Sequence, residues 1–214
     1  MGSDYVGAFA TATDKSVFVG SGIAEDCKKF LSDALGVKSV DLSISDSNLI
    51  GLFARANSNG IVLSNLAEEE EVKTLKRMGL GINVAVIDSN LNAIGSNVLA
   101  NDKIALVNAD YDSNAMKQIG DALGVEVLGA RVDGFKTMGA NNLLTNRGLV
   151  VNNRSTDQEK ERLDRICGFD SMRTTANTGS LYIGISAIAN SIGVVTGEDT
   201  TGYELSRIVD GLEQ

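Results

Sequence analysis

The chain has 214 residues, a hydrophobic share of 43% and a formal net charge of −9. This hydrophobic share excludes a disordered chain, and no stretch approaches the roughly 20 consecutive apolar residues of a membrane-spanning helix. The acidic balance disfavours nucleic-acid binding through phosphate neutralisation. It favours a basic protein surface as partner, unless the charge serves solubility alone.

Histidine and proline are both absent from the sequence. Without histidine, the chain lacks the usual general base, metal ligand and proton shuttle of enzymes. The N-terminus, MGSDYVGAF, has no basic region followed by an apolar block, so we expect no secretion signal. Cys27 and Cys167 each lie in an amphipathic helical pattern. We therefore expect small buried side chains in a reducing cytoplasm, and no disulfide framework.

One sequence motif occurs five times along the chain. It consists of an apolar residue, a glycine and a short run of alternating apolar and polar residues. The five anchor glycines are separated by 44, 44, 44 and 45 residues and are Gly7, Gly51, Gly95, Gly139 and Gly184. About ten residues after each anchor comes a second apolar run, at 17–19, 61–63, 105–107, 149–151 and 194–195. Asn, Asp, Ser and Gly lie between the two runs, which is typical of tight hairpin turns. Each unit is therefore predicted to open with a β-hairpin.

A helix is predicted after each hairpin, because apolar residues recur there at helical spacing. Thr156 with Glu159, and Thr201 with Glu204, have the spacing of a capping box at the start of a helix. Glycines that suit helix C-termini follow 29 residues after three of the anchors, at Gly36, Gly124 and Gly168. The acidic run from Glu68 to Glu71 indicates a solvated helix start rather than a metal site, since consecutive side chains do not converge.

A third strand is predicted after the first four helices, at 37–45, 82–88, 125–132 and, more weakly, 169–177. A unit of this size cannot cover its own apolar faces, so its neighbours must do so. A linear array of five units would leave unpaired edges at both ends, and closing the five units in a ring removes these edges. We predict an α/β fold, a five-bladed pseudo-fivefold ring forming one domain over 1–214, with units near 3–46, 47–90, 91–134, 135–179 and 180–214. The anchor glycines are expected to allow close backbone packing where the units converge.

The sequence also resembles a known family, the translation initiation factor 6 family of archaea and eukaryotes. The resemblance spans essentially the whole chain and is carried by TANTGSLYIGISAIANSIGVVTGEDTTGYELSRIVDGL, LNAIGSNVLANDKIALVNADYD and NRGLVVNNRSTDQE. It implies the five-bladed pentein ring and a non-enzymatic, cytoplasmic factor without cofactor or metal. It further implies a monomer that binds the large ribosomal subunit over ribosomal protein L14, close to the sarcin-ricin loop. Such a factor blocks joining of the small subunit and acts in large-subunit biogenesis.

Two departures from the family pattern concern the ends of the ring. The family has a proline where this chain has Tyr203, and a strand before the first anchor where this chain has only Met1 to Asp4. The fifth unit also lacks a third strand. One blade is therefore expected to have an open edge or a weak seam.

The resemblance implies that the face near the anchor glycines and the hairpin turns meets the ribosome. The matching positions are Leu52, Asn57, Ser58, Asn101, Asp102, Asn141, Asn146, Arg147, Asn190 and Ser191. Asn and Asp are also ordinary turn residues, so each position has a purely structural explanation.

Two other functions fit a ring of this kind. Guanidino-modifying pentein enzymes use a nucleophilic Cys with His and carboxylates, and the absence of His disfavours this reading. A DNA clamp would need basic residues lining a central hole, and the predicted inner hairpins carry few Lys or Arg.

Overall fold

The protein is described by a computed structural model that covers residues 2–213; Met1 and Gln214, which the predicted domain and its last unit include, lie outside the described residues. Five small sheets surround one axis, and each sheet with its long helix is called a blade here. The first blade contains a 3-10 turn at Val6–Ala8, β1 (Ala10–Ala12), β2 (Ser16–Gly20), α1 (Glu25–Leu35) and β3 (Lys38–Leu42). The second contains α2 (Ile50–Phe53), β4 (Ala54–Ala56), β5 (Gly60–Ser64), α3 (Glu69–Arg77) and β6 (Asn83–Ile87).

The remaining three blades repeat this order. The third contains α4 (Ile94–Asn97), β7 (Val98–Ala100), β8 (Ile104–Asn108), α5 (Ser113–Leu123) and β9 (Glu126–Ala130). The fourth contains α6 (Met138–Asn141), β10 (Leu143–Leu144), β11 (Leu149–Asn152), α7 (Asp157–Cys167) and β12 (Met172–Thr174). The fifth contains α8 (Ile183–Ser186), β13 (Ala187–Ala189), β14 (Val194–Thr196) and α9 (Gly202–Leu212). The predicted α/β class and five-bladed ring are thus confirmed.

Within a blade, the first two strands form an antiparallel hairpin and the third strand runs parallel to the second. In the first blade, Val17 pairs with Ala12 on one side and with Ser39 on the other. The parallel pairing needs a long crossover, which the helix between the two strands supplies. The fifth blade differs, since β14 pairs only with β13 among residues 2–213. The open edge predicted for one blade is therefore present.

The hydrophobic core lies between blades rather than within them. Leu75 of α3 packs in one buried cluster with Leu42 of β3, which belongs to the preceding blade. Ile119 of α5 shares a cluster with Ile87 of β6 in the same way. The long helices of the second to fifth blades thus each cover the third strand of the blade before them, and the blades are stable only as neighbours.

The anchor glycines lie in short helical turns that precede the hairpins, whereas the sequence predicted that each unit would open directly with a strand. A Cβ atom added to Gly51 would collide with the backbone oxygen of Gly7, and one added to Gly95 would collide with that of Gly51. The same relationship continues through Gly139 and Gly184 and returns to Gly7. The five glycines therefore let the backbones touch around the axis, as predicted.

The helix ends follow the predicted capping chemistry. Thr156 and Thr201 form capping boxes with Glu159 and Glu204, and Gly36, like Gly124 and Gly168, has left-handed backbone geometry after its helix. A third capping box, between Glu68 and Glu71, was not predicted. The acidic run does begin a helix, but Glu71 is not simply solvated. Its carboxylate accepts hydrogen bonds from the Ser43 hydroxyl and the Ser45 amide of the preceding blade.

Within residues 2–213, the helices are all too short or too polar to span a bilayer. Both cysteines are present as thiols on helices, Cys167 buried and Cys27 half-buried.

Candidate functional site

The candidate site is the end of the ring where the five hairpin turns meet, called the turn face here. It consists of residues 13–15, 57–59, 101–103, 145–147 and 190–192. The turns converge so closely that the space between them is a cavity of about 20 Å³. A cavity of this size holds about one water molecule. A nucleic acid strand therefore cannot pass along the axis, and the alternative function as a DNA clamp is wrong.

In three of the five turns, the first residue is an asparagine that links its blade to a neighbour. Asn57 accepts hydrogen bonds from the amides of its own turn through Oδ1. Its Nδ2 donates to the carbonyl of Asn101 in the next blade at 2.9 Å and to that of Leu123 at 2.8 Å. The Asn101 side-chain amide donates in turn to the Thr145 carbonyl. The Asn190 side-chain amide donates to the Thr13 carbonyl and so joins the fifth blade to the first. One buried amide therefore satisfies its own turn and joins two blades.

Threonine takes this position in the first and fourth blades, and a hydroxyl is too short for the same link. The hydroxyls of Thr13 and Thr145 still accept from their own turns. Here a cation two residues later supplies the contact between blades. Lys15 donates through Nζ to the carbonyl of Ser58 at 2.8 Å, and Arg147 donates to that of Ser191 at 3.4 Å. The ring thus uses two devices at equivalent positions, an Asn amide or a Thr with a Lys or Arg.

The second residues of the turns form a hydrogen-bonded polar cluster around the axis. The Ser58 amide donates to the carboxylate of Asp102, and the Asp102 amide donates to Oδ1 of Asn146. Nδ2 of Asn146 bridges the carboxylates of Asp102 and Asp14. Ser191 completes the set by donating to Asp14 through its amide and its hydroxyl. These side chains close the axis and use their polar atoms on one another.

The third residues are the exposed tips of the turn face. They are equivalent by the repeat spacing and are Lys15, Asn59, Lys103, Arg147 and Ile192. Three of the five are cationic although the chain is acidic overall, and Ile192 is an exposed apolar side chain, 61% accessible. Four of these tips were not predicted as site residues. The repeat spacing could have identified them, because each lies one position after a predicted residue or its equivalent.

The structure divides the ten predicted site residues between two ends of the ring. Leu52 and Asn141 lie in the short helical turns before the hairpins, whereas the other eight lie at the far end of the first strands. The expectation that anchors and hairpin turns share one face is therefore wrong, since a three-residue strand such as β4 separates them.

Half of the ten predicted residues are also buried. Asn57, Ser58, Asn101, Asn141 and Asn190 each expose less than a tenth of their surface. Asp102, Asn146 and Ser191 are half-buried, and Arg147 is exposed. Of the predicted set, Arg147 is thus the side chain most open to a partner, and the buried amides hold the turn face in shape.

No described side chains reproduce a cysteine-dependent catalytic centre. Burial raises the pKa of the Cys167 thiol to about 12, and Asp164 adds to the effect. A thiol with this pKa stays protonated at neutral pH and is a poor nucleophile. Within residues 2–213, no group of three or more His, Cys, Asp and Glu side chains is arranged to hold a metal ion.

Comparison of the amino-acid sequence with known proteins gives matches that agree with one another. The profile of the eIF-6 family matches residues 1–211. Translation initiation factor 6 of Picrophilus torridus is 35% identical over 213 residues, covering 99% of this chain and 96% of that one. The Pyrococcus horikoshii protein of the same name is 35% identical over 214 residues, covering 98% and 94%. That of Thermoplasma acidophilum is 34% identical over 210 residues, covering 98% and 95%.

Among solved structures, a dimethylarginine dimethylaminohydrolase is similar with a TM-score of 0.51. It is 10% identical in sequence, and the match covers 87% of this chain and 84% of that one. At this identity the likeness concerns the fold, which is the pentein ring, and carries nothing about activity.

Proposed function

Because the chain belongs to the eIF-6 family, and so has a role in translation initiation, we propose that it binds the large ribosomal subunit and sterically prevents the small subunit from joining. It acts without catalysis or cofactor, as a cytoplasmic monomer, and also takes part in large-subunit biogenesis. Family membership is the observation that carries this proposal.

The turn face is the surface that we assign to the ribosome. Its tips Lys15, Lys103 and Arg147 surround the axis and can approach RNA phosphates, while Ile192 offers an apolar contact. The buried amides beneath them fix the backbone of the turns, so little backbone conformational entropy is lost on binding. Ribosomal protein L14, near the sarcin-ricin loop, is the proposed protein neighbour. The acidic remainder of the ring favours basic protein surfaces around this contact.

Sedimentation with purified large subunits tests the binding step. We expect the protein to pellet with large subunits and to remain in the supernatant with small subunits. In a second step, large subunits saturated with the protein are mixed with small subunits in magnesium. Few joined particles should then form in a sucrose gradient. No occupancy on large subunits would reject the proposal, and normal joining at full occupancy would reject its steric part.

A further inference from the structure

Arg55 occupies a position that is uncharged in the other blades. It lies in β4, the innermost strand of the second blade, which contacts the equivalent strands β1 and β7 near the axis. The residues equivalent to it by the repeat spacing are each less than a tenth exposed and are Thr11, Leu99, Leu143 and Ile188. The second blade therefore places a cation where the others bury an aliphatic side chain or a threonine. Burying a charge is costly unless the charge is paired.

The guanidinium group of Arg55 lies at the end of the ring opposite the turn face. This end is formed by the turn at Val6–Ala8 and by α2, α4, α6 and α8, and it is called the anchor face here. Nη2 of Arg55 donates to the Gly95 carbonyl at 2.5 Å and would lie 2.8 Å from a Cβ atom added to Gly139. The side chain thus starts in the second blade and ends between the anchors of the third and fourth, beside the axis.

No carboxylate among residues 2–213 balances this charge. Arg55 forms no ion pair with them, and its buried Nε has no hydrogen-bond partner. Burial lowers the pKa of Arg55 to about 10, so the side chain remains positive at neutral pH. A guanidinium group has five N–H donors, and the described acceptor that engages them is the Gly95 carbonyl. Arg55 is half-buried rather than enclosed, so a small anion can reach the guanidinium group and bind to it.

Uncharged side chains surround the axis on the anchor face. The five residues that directly follow the anchor glycines are Ala8, Leu52, Ser96, Ala140 and Ile185. Leu52 and Ile185 are half-buried and belong to none of the five buried core clusters of the described chain. Their side chains therefore border the surface near the axis instead of filling the space between blades. A polar group fixed beneath an apolar border is typical of a site for a small organic ligand.

We propose that Arg55 binds the carboxylate group of a small aliphatic acid at the anchor face. The guanidinium group donates charge-assisted hydrogen bonds to the carboxylate, and Leu52 and Ile185 contact the hydrocarbon chain. A single unpaired positive charge matches a monoanion, and the apolar border favours a hydrocarbon chain over a hydrated inorganic ion. This site is at the opposite end of the ring from the turn face and does not depend on the ribosomal proposal.

Nuclear magnetic resonance of the full chain, labelled with ¹⁵N, tests the proposal. Hexanoate is the probe, and hexanamide, acetate and chloride are the controls, all at constant ionic strength. We expect hexanoate to shift the Arg55 Nε–H signal, which is identified by its absence from the spectrum of R55L, and the shift should saturate. Hexanamide lacks the charge and acetate lacks the chain, so each should bind about tenfold more weakly or worse. An unchanged signal with hexanoate, or equal affinity for chloride, would reject the site.

Three variants locate the binding, which is followed in them through the methyl signals of Leu52 and Ile185. R55L introduces the residue of the third and fourth blades and should abolish hexanoate binding. Its melting temperature should stay the same or rise, because an apolar side chain replaces an unpaired buried cation. R77L removes an exposed arginine at the end of α3 and should leave hexanoate binding unchanged.

R55K keeps the charge but loses the planar fork of donors. It should bind hexanoate more weakly than the unaltered protein does and still prefer hexanoate to hexanamide, which tests the site even if R55L does not fold. Hexanoate binding by R55L that equals binding by R77L would contradict the assignment to Arg55. Equal binding of hexanoate and hexanamide by R55K would show that the charge does not select the ligand, and would also overturn the proposal.

Discussion

The side-chain amide of Asn57 donates to the carbonyl of Asn101, forty-four residues away, and so joins two blades through equivalent turns. Asn57→Thr should break this link and leave the turn itself intact, because Thr13 and Thr145 occupy the same position elsewhere. We expect a loss of about 2 kcal/mol in the free energy of unfolding, measured by urea denaturation.

The ring itself suggests the rescue of this variant. In the first and fourth blades, Thr is combined with Lys15 or Arg147 two residues later. Adding N59K to N57T should therefore restore about half of the lost stability, through a new bond to the next blade. N59K alone should change stability by less than about 0.5 kcal/mol. An additive double variant would show that the two devices are not interchangeable.

Two glycines test the packing at the axis. An added Cβ at Gly51 would lie against backbone oxygens of Gly7 and Ala10, which cannot move without opening the ring. Gly51→Ala should therefore cost about 3 kcal/mol and lower the melting temperature by roughly 6–12 °C. Gly202 starts α9 and has no atom within 4 Å of an added Cβ. Gly202→Ala should be neutral or slightly stabilising. Equal melting temperatures for the two variants would contradict the role of the anchor.

The repeat made much of this fold predictable from sequence. Five glycines 44 or 45 residues apart, a second apolar run about ten positions after each glycine, and the pair Thr156 and Glu159 are local signals, and each appears in the structure as expected. The burial of Asn57 and Asn101 was not predictable from local pattern. An asparagine in a turn can be exposed to solvent or can form a buried link between blades. Which of the two occurs depends on contacts with the neighbouring blade. For that reason the predicted site emphasised buried amides and omitted tips such as Lys103.

Glu204 predicts how stability depends on pH. Burial would raise its pKa, but hydrogen bonds from Thr175, Thr201 and Gly179 outweigh this and lower the pKa to about 2. A carboxylate with a lowered pKa in the folded state stabilises fully above its ordinary pKa of 4.5. This contribution is lost as the pH falls from about 4.5 towards 2.

Glu204→Gln should therefore cost about 3 kcal/mol at pH 7 and only about 1 kcal/mol at pH 3. Urea denaturation at both pH values measures the difference. Glu161→Gln is the matched control, since this exposed glutamate lies on α7 and has an ordinary surface environment. A loss for Glu204→Gln that is the same at both pH values would rule out the carboxylate's charge as the cause.

The exposed tips allow ribosome binding to be separated from ring stability. Lys103 is exposed and its side chain forms no ion pair within residues 2–213, so K103E should leave the melting temperature nearly unchanged. If the turn face meets ribosomal RNA or a mixed RNA–protein surface, the reversed charge should weaken sedimentation with large subunits by about tenfold or more.

K117E is the matched control. Lys117 is an exposed lysine on α5, outside the turn face, and pairs only with the exposed Asp121. Binding by K103E that equals binding by K117E would move the ribosome contact away from the turn face. Weaker binding by K103E alone, at an unchanged melting temperature, would assign the contact to the tips rather than to the buried amides beneath them.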